Sequence, residues 1–305
     1  MTSPQKITPF LWMDGTAEQA ATLYARLFPA GRTLAISRYG SEGFDQHHQP
    51  EGRAMVVELE LAGVRLNLLN GGPMFRPTPA ISFFVQLETV AEVAVLWAGL
   101  LDGGLVLMPL QAYPWSEQYG WLNDRFGVSW QISVGPISET GRAICPSLLF
   151  TGPQHGKAEA AIALYMSLFP GGSLMGILRH DGSGGEVAGT VQHAQFTLGN
   201  ETFMAMDSAL PHGFSFTEGV SLMVSCAMQA DIDRLWSALT AGGGAPSMCG
   251  WLKDRFGLSW QIVPDALPRL MSGPDRAASG RVMQALMAMR KIDIAALEAA
   301  HRTPT

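Results

Sequence analysis

Apolar positions along the chain switch repeatedly between a period of two and a period near 3.6, and each switch marks an element. Residues 7 to 13, ITPFLWM, form a short apolar run ended by Asp14 and Gly15, which predicts a strand. Residues 16 to 28 place Ala20, Leu23, Tyr24 and Leu27 at helical spacing, with Thr16 as N-cap candidate, Glu18 in the first turn and Pro29 as the stop. A strand follows near 33 to 39, then a loop rich in Gly, His and Gln to residue 52, then strands at 54 to 61 and 64 to 70 joined by Ala62-Gly63. The order is β-α-β-β-β, and it restarts at once. A strand at 80 to 86 leads to a helix at 89 to 101 with Val93, Leu96, Trp97 and Leu100 on one face, a strand at 105 to 110, and a hairpin, GWLNDRFGVSWQI, at 120 to 132.

That hairpin returns at 250 to 262 as GWLKDRFGLSWQI, identical at 11 of 13 positions. Recurrence at this distance means duplication. ICPSLLF from Ile144 matches ITPFLWM from Ile7, AEAAIALYMSLFP (158 to 170) matches AEQAATLYARLFP (17 to 29), and Trp236 matches Trp97. The chain is therefore α+β: four β-α-β-β-β modules forming two domains, residues 1–137 and 143–268, with a Gly- and Pro-containing linker near 135 to 143 and a tail at 269–305. In the tail, Val282, Leu286, Met289, Ile292, Ala296 and Leu297 form an amphipathic stripe, and Asp293 can recap the chain and split it into two helices. Such a stripe is buried on its own domain or on a second subunit, so a homodimer is left open. One small sheet leaves a face uncovered, and pairing consecutive modules curls their sheets around a shared hollow with helices outside. A small ligand sits in a hollow of that kind.

Charge and composition narrow the partners. Lys plus Arg number 20 against 26 Asp plus Glu, a net charge of -6, with no basic cluster to meet a phosphate backbone, so nucleic acid is excluded as a partner. Hydrophobic residues make up 47%, yet no apolar run reaches the length of about 18 residues that marks a membrane helix. MTSPQKITPF has no apolar signal core, and Cys145, Cys226 and Cys249 form no even framework, so a reducing cytoplasm is the expected location.

The paired modules, NGGPMF (Asn70 to Phe75), DS…HGFSF (Asp207 to Phe216) and the GWLxDRFGxSWQI hairpins resemble the vicinal oxygen chelate superfamily and, within it, the PhnB-like glyoxalase/bleomycin-resistance group. The resemblance implies a concave sheet whose metal-dependent members hold a divalent ion with His and Glu at four strand positions. Carried onto this chain those positions are Ile7, Asn67, Ala80 and Gln131, then Ile144, Met204, Gly219 and Gln261. None is His, Asp or Glu, so no metal and no other cofactor is expected. Some relatives carry a methyltransferase label, but no strand here leads into a GxGxxG loop and helix that would hold a nucleotide-like cofactor.

Strand alternation sends Glu58 and Glu60 away from the helices and aims Gln131 opposite Trp130. With them, Asn67, Ser82 and Phe84 are expected in the first hollow, and His193, Gln195, Met204, Ser221 and Gln261 in the second. Each has a bland reading beside the functional one. Alternating Glu is the ordinary outer face of a sheet, a lone His is a hydrogen-bonded structural group, and Gln131 and Gln261 are satisfied polar groups in a barrel. An insertion, LVLMPLQAYPWSEQY, is nine residues longer than its counterpart and carries Tyr113, Trp115 and Glu117, a composition suited to a lid or a domain interface. The favoured function is metal-free binding of an amphipathic or aromatic small molecule. The alternative is a glyoxalase- or lyase-type enzyme using Glu58 with Gln131, or His193 with Asp207.

Overall fold

A computed structural model describes residues 5–41, 43–272 and 275–302. The first module runs β1 (Ile7–Met13), α1 (Ala17–Leu27), β2 (Arg32–Arg38), a single turn α2 (Phe44–His47), β3 (Ala54–Leu61) and β4 (Val64–Asn70). The second is β5 (Ile81–Leu87), α3 (Val90–Leu101), β6 (Leu105–Tyr113), β7 (Ser116–Asn123) and β8 (Ser129–Val134), after which α4 (Ile137–Thr140) occupies the expected linker. The third comprises β9 (Ile144–Phe150), α5 (Ala158–Leu168), β10 (Leu174–Arg179), β11 (Val191–Leu198) and β12 (Glu201–Asp207). The fourth comprises β13 (Val220–Cys226), α6 (Gln229–Thr240), β14 (Ala245–Pro246), β15 (Trp251–Lys253) and β16 (Ser259–Pro264), and the tail forms α7 (Ala266–Met271), α8 (Arg276–Ala288) and α9 (Ile294–Arg302). Among the described residues no helix is long and apolar enough to cross a membrane.

The modules do pair into two eight-stranded sheets, but not first with second and third with fourth. Sheet A has the order β14-β15-β16-β13-β1-β4-β3-β2 and joins the first module to the fourth; sheet B, β10-β11-β12-β9-β5-β8-β7-β6, joins the second to the third. The joints are antiparallel and similar in register, with Phe10 opposite Ser221 in sheet A and Ser82 opposite Ser147 in sheet B. Each module leaves the free edge of its first strand unpaired, and an open edge must be covered. Here it is covered by a module from the other half of the chain.

The two modules of each half meet instead through a helix and the repeated hairpin. Asp124 is buried at the turn of the first copy. Its Oδ1 accepts from the backbone N–H of Phe126 and Val128, and its Oδ2 from Trp130 Nε1 and from the Tyr24 hydroxyl on α1 at 2.5 Å. Asp254 repeats every contact with Phe256, Leu258, Trp260 and Tyr165. Burial pushes both carboxyl groups above their ordinary range, and these hydrogen bonds oppose that rise. Burial beside the carboxylate also raises Tyr24 and Tyr165, which keeps both hydroxyls as donors. Trp130 and Trp260 are fully buried, as core residues must be. The Asp-x-Phe-Gly…Trp recurrence is thus a structural knot tying each helix to the next module.

The expected cap at Thr16 does not form. The first N–H of α1, from Ala17, goes to Asn70 Oδ1 on β4, and that of α5, from Ala158, goes to Asp207 Oδ1 on β12. A long-range group has replaced the local one, fixing the helix to its sheet. The tail packs in cis. Leu270, Val282, Leu286, Ile292 and Leu297 form its small core, the N–H groups of Cys249 and Gly250 donate to Met289 and Arg290, and Asp293 caps α9 through Ala296.

Candidate functional site

Each sheet is concave, and the two hollows differ in what fills them. In sheet A the chain fills its own. Trp12 stands edge-on to Phe75 (4.9 Å between centroids) and to Trp251 (5.9 Å), and its Nε1 donates to the Gly72 carbonyl at 2.7 Å. The fit excludes any side chain at Gly71, where a Cβ would lie 2.2 Å from the Trp12 ring.

Sheet B carries smaller groups at the register positions of Phe10 and Trp12. Phe10 is paired with Asn67 and Trp12 with Leu69; their counterparts are Ser147, paired with Met204, and Leu149, paired with Met206. The result is a cavity of about 550 Å³, within the range of small-molecule sites. Phe84, Leu149, Met204, Met206 and Trp121 form its walls, with His193 and Gln195 on β11. Trp115 stands at its mouth, 62% exposed, across from Leu178 on the far edge strand at 63%. The insertion lengthens β6 and β7 into a hairpin, with Tyr113 stacked on Trp115 at 5.0 Å and Tyr119 beneath.

Polar groups on the floor are already partnered. Tyr119 donates to Gln131 Oε1 at 2.7 Å, and Gln131 Nε2 donates to Ser82 Oγ at 2.7 Å and to Ser147 Oγ at 3.4 Å. Gln131 therefore organises the floor, and Ser82 supports it from below. Gln195 Nε2 donates to the Glu139 carbonyl at 2.7 Å. Burial holds His193 below the ordinary histidine range. The remaining end is polar. Glu186 accepts from the Ser208 hydroxyl at 2.5 Å and the Ala209 N–H at 2.7 Å, His212 Nε2 lies 2.8 Å from Ser208 Oγ, and His180 Nε2 lies 3.2 Å from the Asp207 carbonyl.

Of the residues expected to form a site, Phe84, Trp115, Gln131, His193, Gln195 and Met204 come together in this one cavity, drawn from both halves of the chain. Glu58, Asn67, Ser221 and Gln261 lie on sheet A, where Gln261 Nε2 donates to Ser221 Oγ at 2.9 Å. Glu58 and Gln131 are thus on different sheets and form no acid–base pair. His193 does not pair with Asp207 either, because the Asp207 carboxylate is taken by the N–H groups of Ala158 and Val191. Glu117 is exposed on β7, off the cavity wall. The sequence reading missed His180, Glu186, Ser208 and His212 as site residues, since they sit in or beside loops with no period to expose them; the only signal was the DS…HGFSF segment, which contains Ser208 and His212.

The metal-ligand positions need a shift in register. Ile7 and Ile144 face the helical core, and Ala80 and Gly219 precede their strands. The hollow-facing groups are Phe10, Asn67, Ser221 and Gln261 in sheet A, and Ser147, Met204, Ser82 and Gln131 in sheet B. Hydroxyls, a thioether and amides, the Gln131 oxygen already used, do not fit a divalent ion. Among the described residues no three His, Cys, Asp or Glu side chains are placed to share one. A nucleotide-like methyl donor fits no better: the N-termini of α1 and α5, which could have met it, are taken by Asn70 and Asp207.

Comparison with known proteins identifies a family and a likeness of fold. The model of the family described as 3-demethylubiquinone-9 3-methyltransferase matches residues 5–133 and 142–263, one copy in each half. A PhnB protein from Bacillus cereus is 38% identical over 43% of this chain and 100% of its own, with a TM-score of 0.40. Protein PA1353 from Pseudomonas aeruginosa is 24% identical over 43% of this chain and 98% of its own, with a TM-score of 0.36. Glyoxalase I from Zea mays is 11% identical but spans 86% of this chain and 92% of its own, with a TM-score of 0.59, a likeness of fold. No curated protein matches the chain.

Proposed function

We propose that this chain, which belongs to the 3-demethylubiquinone-9 3-methyltransferase family as a tandem two-domain, PhnB-like member of the vicinal oxygen chelate superfamily, binds a small amphipathic or aromatic molecule without a metal. One observation carries the reading. Of two hollows built on the same plan, one is stoppered by Trp12 and Phe75, while the other keeps a cavity of about 550 Å³ with aromatic and thioether walls and a rigid hydrogen-bonded floor. Apolar walls with a few oriented polar groups are what a small-molecule site requires. The family description names a methyl transfer, and the N-termini of α1 and α5, where a nucleotide-like group could have docked, are taken by Asn70 and Asp207.

The test is a thermal-shift and tryptophan-fluorescence titration with neutral aromatics such as 2-naphthol. Binding to the native state alone raises stability by about 2.7 kcal/mol at 100 times Kd. The expected result is one site per chain, unchanged by EDTA and lost in Trp115→Ala and Leu149→Trp. Absence of any stabilising aromatic, or undiminished binding by Leu149→Trp, overturns the reading.

A second reading, a lyase-type enzyme, is favoured by one feature, the hydrogen-bonded series His212, Ser208 and Glu186 at the cavity end. Because the Ser208 hydroxyl donates to Glu186, its oxygen accepts from His212 Nε2, which leaves Nδ1 as a base. Turnover of a bound ligand that is abolished by His212→Gln, with affinity retained, is the outcome that selects it.

A further inference from the structure

The duplication makes the filled hollow a guide to the open one. Trp12 is a covalently attached occupant of sheet A: an indole held edge-on by two aromatic rings, its N–H given to a backbone carbonyl. In sheet B the register position of Trp12 is Leu149, but its aromatic neighbour persists, because Trp121 is paired with Gln131 as Trp251 is with Gln261. Leu149 and Trp121 both line the cavity, so the region an indole fills in sheet A is open in sheet B.

Charge adds a second requirement. The cavity wall carries Glu139, Glu186 and Asp207, and no Lys or Arg is among its described residues. Asp207 is 2% exposed with a backbone amide on each oxygen, and Glu139 Oε2 accepts from Gln86 at 3.2 Å. The Glu186 side chain is 12% exposed, held by Ser208 and Ala209 in one orientation, with His180 Nε2 3.9 Å away and closer to the Asp207 carbonyl at 3.2 Å. A fixed, half-desolvated carboxylate favours a cation, and the faces of Trp115 and Trp121 attract one too. An anionic ligand would meet carboxylates and no guanidinium or ammonium. His193, kept neutral at pH 7 by burial, does not oppose a cation.

We propose that the sheet B cavity takes an alkylamine carried on a planar aromatic ring of indole size, the ring beside Trp121 and Leu149 and the ammonium at the Glu186 carboxylate. This rests on the binding function proposed above and names its ligand class. Three probes of equal shape separate the charge requirement from the ring: tryptamine, tryptophol and indole-3-acetate, titrated calorimetrically into the whole chain. Tryptamine is expected to bind about tenfold more tightly than tryptophol, with indole-3-acetate weakest. Glu186→Gln is expected to bring tryptamine to within about twofold of tryptophol while leaving tryptophol unchanged, and Leu149→Trp to lose all three. Equal affinities, a preference for the acid, or a cation preference that survives Glu186→Gln overturns the amine assignment and leaves the binding function intact. If none of the three binds while 2-naphthol does, the ring assignment falls; if 2-naphthol fails as well, the binding function falls with it. Glu186→Gln, an isosteric change at the cavity end, keeps the test standing should Leu149→Trp fail to fold.

Discussion

The two hollows share strand order, joint register and the repeated hairpin, yet one is stoppered by aromatic side chains and the other open. A few side chains decide it. Trp12 and Phe10 in sheet A face Leu149 and Ser147 in sheet B, and a short β14–β15 pair beside the docked tail contrasts with the long β6–β7 hairpin that carries Trp115. Ligand capacity in this architecture is therefore a property of what the strands carry inward, not of the strands. The duplicated scaffold allowed one hollow to take an aromatic stopper while the other kept its space.

The largest expected effect comes from reopening the closed hollow. Trp12→Ala removes the stopper and costs about 3 kcal/mol of stability, read as a lower denaturation midpoint. It also raises the stoichiometry of neutral aromatic binding from one to two. A variant that loses stability but still binds one molecule would show that more than Trp12 closes sheet A. Next come the features the halves share. Tyr24→Phe and Tyr165→Phe each leave a buried aspartate short of one donor and cost about 1–3 kcal/mol. The two costs should be equal in urea unfolding; unequal costs would mean that the open hollow has loosened its half.

The smallest effect is on pH dependence. His193 stands where sheet A has Val56, at the third position of its strand. Burial lowers its folded value below 6.5, so the unfolded chain binds the proton more readily. Its contribution to stability is in full above about 6.5 and is lost as pH falls through the folded value. Urea midpoints at pH 7.5 and 5.5 should therefore differ more in the native chain than in His193→Val.

Much of this was legible in the residues. The hairpin copies announced the duplication, period-two and period-3.6 runs placed the modules, and Trp130 and Trp260 read as core. Asp293 read as a cap, and the aromatic content of the insertion marked a cavity element. What failed was long-range. All four modules offer a similar first-strand edge, and no residue in an edge states which other edge it will meet. Site residues were consequently sorted by half, with Gln131 set apart from His193 although one cavity holds both. Thr16 looked like a cap because local rules see no farther than a turn, whereas Asn70 arrives from 53 residues away. Glu186 and His212 lie outside the regular strands, where spacing encodes nothing, and only folding gathers them.

The crossed joints also govern what can be cut. Residues on either side of the linker each contribute one strand to both seams, β1 and β5 from one, β9 and β13 from the other. Severing the chain between them would not release two finished bodies but two complementary pieces with raw borders, each able to re-zip with its mate or with a copy of itself. Connectivity along the backbone and solidarity in space divide this molecule along different lines.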